Sequence, residues 1–153
     1  MSRPWVSSVV LASLVLAAAG LIAAEFLTFA EVRVITAVPP GGTRTGGAHH
    51  GYALAVIGVA MLPLAVGAVR GRSRPAAIGL VVLACAALVV VLGVDWPATD
   101  DSGALADVYE LARAHARGGF YVALVAACVA LPASVAALVL VGQSTRSTSL
   151  PRT

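Results

Sequence analysis

Apolar positions run through this chain in four unbroken stretches, and the ionisable residues are confined to the segments between them. No Asp, Glu, Arg, Lys or His interrupts Pro4 to Ala24 (21 residues), Gly51 to Val69 (19), Pro75 to Val94 (20) or Gly118 to Thr145 (28). A hydrocarbon core about 30 Å thick is crossed by about 20 helical residues, so each stretch predicts a spanning helix. The expected spans are approximately 5–27, 51–70, 75–95 and 119–142, with outer loops 28–50 and 96–118 and an inner loop 71–74. Together they occupy more than half of the 153 residues, and the remainder is too short for a separate soluble catalytic domain. The predicted fold is therefore all-α: a single integral membrane domain, a four-helix transmembrane bundle with one amphipathic helix outside the membrane.

That extra helix comes from the polar pattern of the second outer loop. From Gly103 to Arg117, about 100° per residue gathers Asp107, Glu110, Arg113 and Arg117 on one side, with Leu105, Val108, Tyr109, Leu111, Ala112 and His115 on the other. Such a helix would lie on the outer leaflet or cover the top of the bundle, and Gly118-Gly119 would break it before span four. In the first outer loop, apolar Phe26, Phe29 and Val32 alternate at helical spacing with polar Glu25, Thr28 and Glu31, which extends span one above the bilayer. Pro39-Pro40-Gly41-Gly42 ends that extension, and Thr43 to Gly47 form a flexible linker before His49-His50-Gly51 opens span two.

Composition narrows the class. Hydrophobic residues make up 59% of the chain and charged ones 11%, against about a quarter charged in soluble domains. All ten basic residues are Arg and there is no Asn; with the excess of Ala, Val and Leu this suggests a GC-rich genome and favours a bacterial plasma membrane. The sequence pI of about 9.4 reflects arginines beside spans, not a dense patch with interleaved aromatics, so a nucleic-acid partner is not expected. The first apolar run exceeds the roughly 7–15 residues of a cleaved signal's core and is expected to remain as a span. Arg70, Arg72 and Arg74 in one tight hairpin place it in the cytoplasm. Both termini then also lie inside, and all seven acids (Glu25, Glu31, Asp95, Asp100, Asp101, Asp107 and Glu110) fall outside. Trp5 and Trp96 mark an inner and an outer boundary.

The halves of the chain resemble each other. A shift of 69 superimposes Tyr52 on Tyr121 and Leu62-Pro63 on Leu131-Pro132, and a shift of 71 superimposes Arg3-Pro4 on Arg74-Pro75. Each half enters from the cytoplasm, so the pattern suggests two tandem helical hairpins in parallel repeat. Pro63 and Pro132 each remove an intrahelical hydrogen bond and are expected to kink spans two and four. Ala126, Ala130, Ser134 and Ala137 form a small-residue stripe that permits close helix approach.

Chemistry is sparse. No spacing typical of a hydrolase, an ATPase or a zinc motif occurs, and no enzyme is expected. Cys85 and Cys128 fall mid-span and read as packing residues rather than a redox pair. Glu25 lies at the outer end of span one. In this single residue the chain resembles in outline the small multidrug-resistance transporters, also short and four-spanning, whose first-helix Glu lies within the span; no other motif of theirs occurs. Glu31, His49, His50 and His115 are candidate ligands for an outer-face metal or haem, set against the reading in which they are solvated boundary residues. No cofactor is assigned. The leading expectation is a non-enzymatic accessory or assembly subunit that meets a membrane-protein partner or a second copy of itself. A homo-oligomeric transporter or channel comes second, its path marked by Glu25, Asp95, Pro63 and Pro132, and a metal or haem binder third.

Overall fold

The computed structural model describes residues 4–34, 37–99 and 112–148. Helix α1 (Pro4–Phe26) leads directly into strand β1 (Thr28–Val34); after a turn come β2 (Thr43–Thr45) and the short α2 (Gly46–His50), then α3 (Ala53–Val69). A tight arginine hairpin connects α3 to α4 (Arg74–Val90), which runs through a π-helical turn at Val91–Asp95 into α5 (Trp96–Ala98). Strand β3 (Ala112–Ala116) precedes the last helix, α6 (Gly118–Thr148). The protein is mostly helical, and Trp5–Phe26, Arg74–Ala98 and Gly118–Gln143 are each long and apolar enough to cross a membrane. Helix α3 is shorter, with 17 residues, or about 26 Å at 1.5 Å per residue.

The four long helices pack in a ring in which α1 touches α3 and α6, and α4 touches the same two from the other side. Their inward residues recur at alternating steps of three and four. On α3 they are Leu54, Gly58, Met61, Ala65 and Ala68; on α4 they are Ala77, Leu80, Ala84, Ala87 and Val91. That period suits shallow left-handed crossings. The core is built largely from alanine, while Leu16, Val56, Val59, Val82, Val89 and Val125 point outward. Small residues inside and large apolar ones outside is the arrangement expected where the surroundings are as apolar as the side chains and close backbone approach drives association. The stripe Ala126, Ala130, Ser134 and Ala137 is buried throughout, and the Ser134 hydroxyl donates to Ala130 O at 2.7 Å within its own helix. Cys85 and Cys128 are free and exposed. Pro63 and Pro132 lie inside helices, on exposed positions.

The end carrying Glu25 and Asp95 departs from an all-α fold. Strand β1 forms the centre of a three-stranded antiparallel sheet, with β2 on one edge and β3 on the other. Thr28 to Val34 was expected to continue α1 as helix. It is instead a strand, because Ala30, Val32 and Val34 alternate with Glu31 and Arg33, and that period of two finds a partner 78 to 86 residues away. The partner segment overturns a second expectation. Ala112–Ala116, placed at the end of an amphipathic helix, pairs Ala30↔Ala116, Glu31↔His115 and Arg33↔Arg113; the rest of that expected helix, residues 103–111, lies outside the described residues. Thr43 to Gly47 is not a linker but β2 and the start of α2, and Gly118-Gly119 opens α6 rather than breaking the chain before it.

One ion-pair cluster closes the sheet. Glu31 accepts from Arg117 Nε at 2.8 Å and Nη2 at 2.7 Å, and from Arg33 Nε at 2.6 Å. The two guanidinium groups hold the Glu31 carboxyl well below its ordinary value of 4.5, at about 2, and Glu31 in turn raises Arg117. Between those two pH values the unfolded chain binds a proton that the folded cap does not. The stabilisation is thus complete above the ordinary carboxylate value and drains away as pH falls toward 2. The cluster is only partly buried, so the effect is modest and screened by salt. Hydrogen exchange of β1 and β3 is expected to speed up, relative to the rest of the protein, as pH is lowered through this window. Glu31→Gln should remove that pH dependence; if it persists in the variant, the pair does not hold the strands.

Candidate functional site

Three segments, two of them with unusual local backbone, meet at the end of the bundle that carries the sheet. The first is the last turn of α1, which places Glu25 inward at 1% exposure. Its Oε1 accepts from the backbone N–H of Leu54 at 2.7 Å and of Ala55 at 3.3 Å. The first N–H groups of a helix have no partner within it, and the residue preceding α3, Tyr52, supplies no side-chain cap. A carboxylate from another helix does that work, and its charge also suits the positive end of the α3 dipole.

The second segment is α2. His49 and His50, expected to open span two, lie on a separate short helix that ends at Gly51 (φ 65°). Tyr52 is also left-handed (φ 62°). Two successive left-handed residues reverse the chain sharply, and Tyr52, which has a Cβ, adopts that conformation at a cost of roughly 1–3 kcal/mol. Its ring packs on Phe26 with centroids 5.7 Å apart. The turn carries the His50 side chain inward to 10% exposure, while His49 stays exposed and stacks on Phe29 at 5.1 Å.

The third segment is the π turn of α4. A wide turn holds one more residue than an α turn and re-aims the residues beyond it; here it ends on Asp95, buried at 3% exposure. The three meet around one imidazole. His50 Nδ1 lies 3.4 Å from Glu25 Oε1, and His50 Nε2 lies 3.2 Å from Asp95 Oδ1. Glu25 Oε2, His50 Nδ1 and Asp95 Oδ1 are buried without a hydrogen-bond partner. Trp96 comes directly after Asp95 and meets Phe120 of α6 edge to face at 5.9 Å.

The sequence-derived candidates therefore sort into two groups. Glu25, Asp95 and His50 come together. Glu31 is committed to Arg117 and Arg33, His49 to Phe29, and His115 stands on β3 opposite Glu31. Among the described residues no three His, Cys, Asp or Glu side chains are placed to hold a metal ion. The reason is geometric: the two carboxylates lie at opposite nitrogens of one ring and do not converge on a shared point. Glu25, expected at the outer end of span one, does end α1 and is sealed there between α1, α2 and α3. Comparison with family models, with curated proteins and with solved structures returned no match.

Proposed function

We propose that the chain is a four-span protein of a bacterial plasma membrane, both termini cytoplasmic, serving as a non-enzymatic accessory or assembly subunit for other membrane proteins. The observation that carries this reading is the ordered cap. Two outer segments, far apart in sequence, are tied into one sheet on the bundle, a rigid surface suited to contact with another protein. The groove of about 500 Å³ between α1 and α6, lined by Leu16, Ala17, Gly20, Tyr121 and Val125 among others, is consistent with a partner helix at the same flank. The interior favours packing over passage: Leu14, Leu21, Leu54, Met61 and Leu80 are fully buried along the axis.

The 17 residues of α3 span most of a hydrocarbon core, and the three arginines of the hairpin support its assignment to the cytoplasm. Cysteine labelling from outside the cell is expected to modify Thr43→Cys and spare Ser73→Cys; the reverse pattern would invert the topology. Native mass spectrometry of the protein drawn in mild detergent from its own membrane tests the role. Stoichiometric foreign subunits are expected, and a clean homodimer with none would replace this reading by the second one. That second reading, a small homo-oligomeric transporter, is favoured by a single feature, the burial of Glu25 and Asp95 about His50, since buried ionisable groups in membrane proteins commonly carry function.

A further inference from the structure

His50 faces a carboxylate with each ring nitrogen, Glu25 at 3.4 Å and Asp95 at 3.2 Å. A neutral imidazole has one N–H. It answers one carboxylate and turns a lone pair toward the other, whereas imidazolium donates to both. With the ring neutral, two carboxyl groups that are 1% and 3% exposed could stay ionised only without a cation between them, an expensive state in an apolar setting. The buried side-chain atoms without partners, among the described residues, all belong to this cluster. Among the described residues, further titratable groups near it are few. His49 sits beside His50 on α2, ring centroids 5.8 Å apart, and Tyr52 stands at the start of α3, its ring exposed against Phe26. Helix α3 otherwise offers backbone N–H groups, β1 offers Phe29, and α6 meets the neighbouring Trp96 through Phe120.

We infer that Glu25, His50 and Asp95 form a proton-binding site, reached from the outer aqueous phase past exposed His49, and that the bound proton latches α2 and its strand onto the bundle. The cluster joins α1, α2 and α4. Helix α2 is succeeded by the left-handed pair Gly51-Tyr52, where backbone strain is stored. Uptake of the proton gives His50 a hydrogen to donate to each carboxylate and closes the junction. Its loss frees one side of the ring, and α2 then turns about Gly51-Tyr52, relieving Tyr52. The outer location of the site rests on the four-span topology proposed above; proton binding and latching do not.

The chain has three histidines, so ring-labelled protein in detergent micelles gives three carbon signals that can be followed from about pH 4 to about pH 10, a range that brackets ordinary imidazole titration. Trp96 fluorescence, read in a Trp5→Phe background, reports the end of α4 over the same range. The expected result is that the His50 signal and the Trp96 emission change with one midpoint. Asp95→Asn should weaken proton binding at His50 about tenfold and move both curves together, and His50→Gln should abolish the Trp96 response. A His50 signal that does not titrate, an emission that stays flat or tracks His49 or His115, or a response that survives His50→Gln would each overturn the inference. If either variant fails to fold, the two wild-type curves alone decide. None of these readouts depends on how the chain is threaded, so an inverted topology and an inert site are separate outcomes.

Discussion

Glu25→Ala is expected to destabilise the protein by about 3 kcal/mol, from the orphaning of buried donors and the breaking of a buried charge cluster. Two things are lost together. The N–H groups of Leu54 and Ala55 lose their acceptor at the start of α3, and His50 loses one of its two carboxylates. Glu25→Gln separates these terms. Its amide oxygen can still accept from Leu54 while its charge is gone, so it should cost about half as much. Unfolding in mixed micelles with increasing SDS, monitored by near-ultraviolet circular dichroism, measures both variants. If Ala and Gln are equally harmful, capping contributes nothing and the charge alone matters.

The second large effect is expected at the crossing of α1 and α3. A Cβ on Gly58 would stand 2.7 Å from the backbone oxygen of Ala18 and 2.9 Å from Ile22 Cγ1. The carbonyl belongs to a helix and cannot rotate away, so the helices themselves must separate. Gly58→Leu is expected to cost about 3 kcal/mol, at the upper end for overpacking, and Gly58→Ala somewhat less. Gly67→Ala on the same helix should be tolerated, because its Cβ would meet only Ala76 Cβ at 3.4 Å. The same SDS titration tests all three; unchanged stability in Gly58→Leu would mean that the crossing is looser than described.

The apolar helices were legible because runs of about 20 residues without charge have few other uses. Their inward faces were less so. When inside and outside are both apolar, the pattern that separates them is size, and Ala84 against Val82 or Val89 is a faint signal in a sequence made mostly of Ala, Val and Leu. The cap was misjudged for a different reason. Glu25 to Val32 satisfies a period of 3.6, while the period of two is confined to the five residues Ala30 to Val34, and Ala112-Arg113-Ala114-His115-Ala116 alternates strictly but is rich in the good helix formers Ala and Arg. Long-range pairing decided both segments, and pairing between residues 78 to 86 apart leaves no mark in either one. Of the site, Glu25, Asp95 and His50 each stood out singly as polar residues at span ends. Their meeting did not, because it depends on a left-handed turn at a tyrosine and a π turn in α4, neither of which has a composition of its own.

The π turn has a consequence for how this protein tolerates change. A helix that takes in one additional residue within a turn shifts the facing of everything beyond it, and Asp95 looks at His50 only because Val91–Asp95 is wound this way. Length is thus constrained there as tightly as residue identity. A codon gained or lost between 91 and 95 would leave the apolar character of α4 intact yet turn the carboxylate outward, stranding the imidazole. Descendants that alter the length of this segment are therefore expected to surrender His50 or Glu25 as well, so that the three positions are inherited, or abandoned, as a unit.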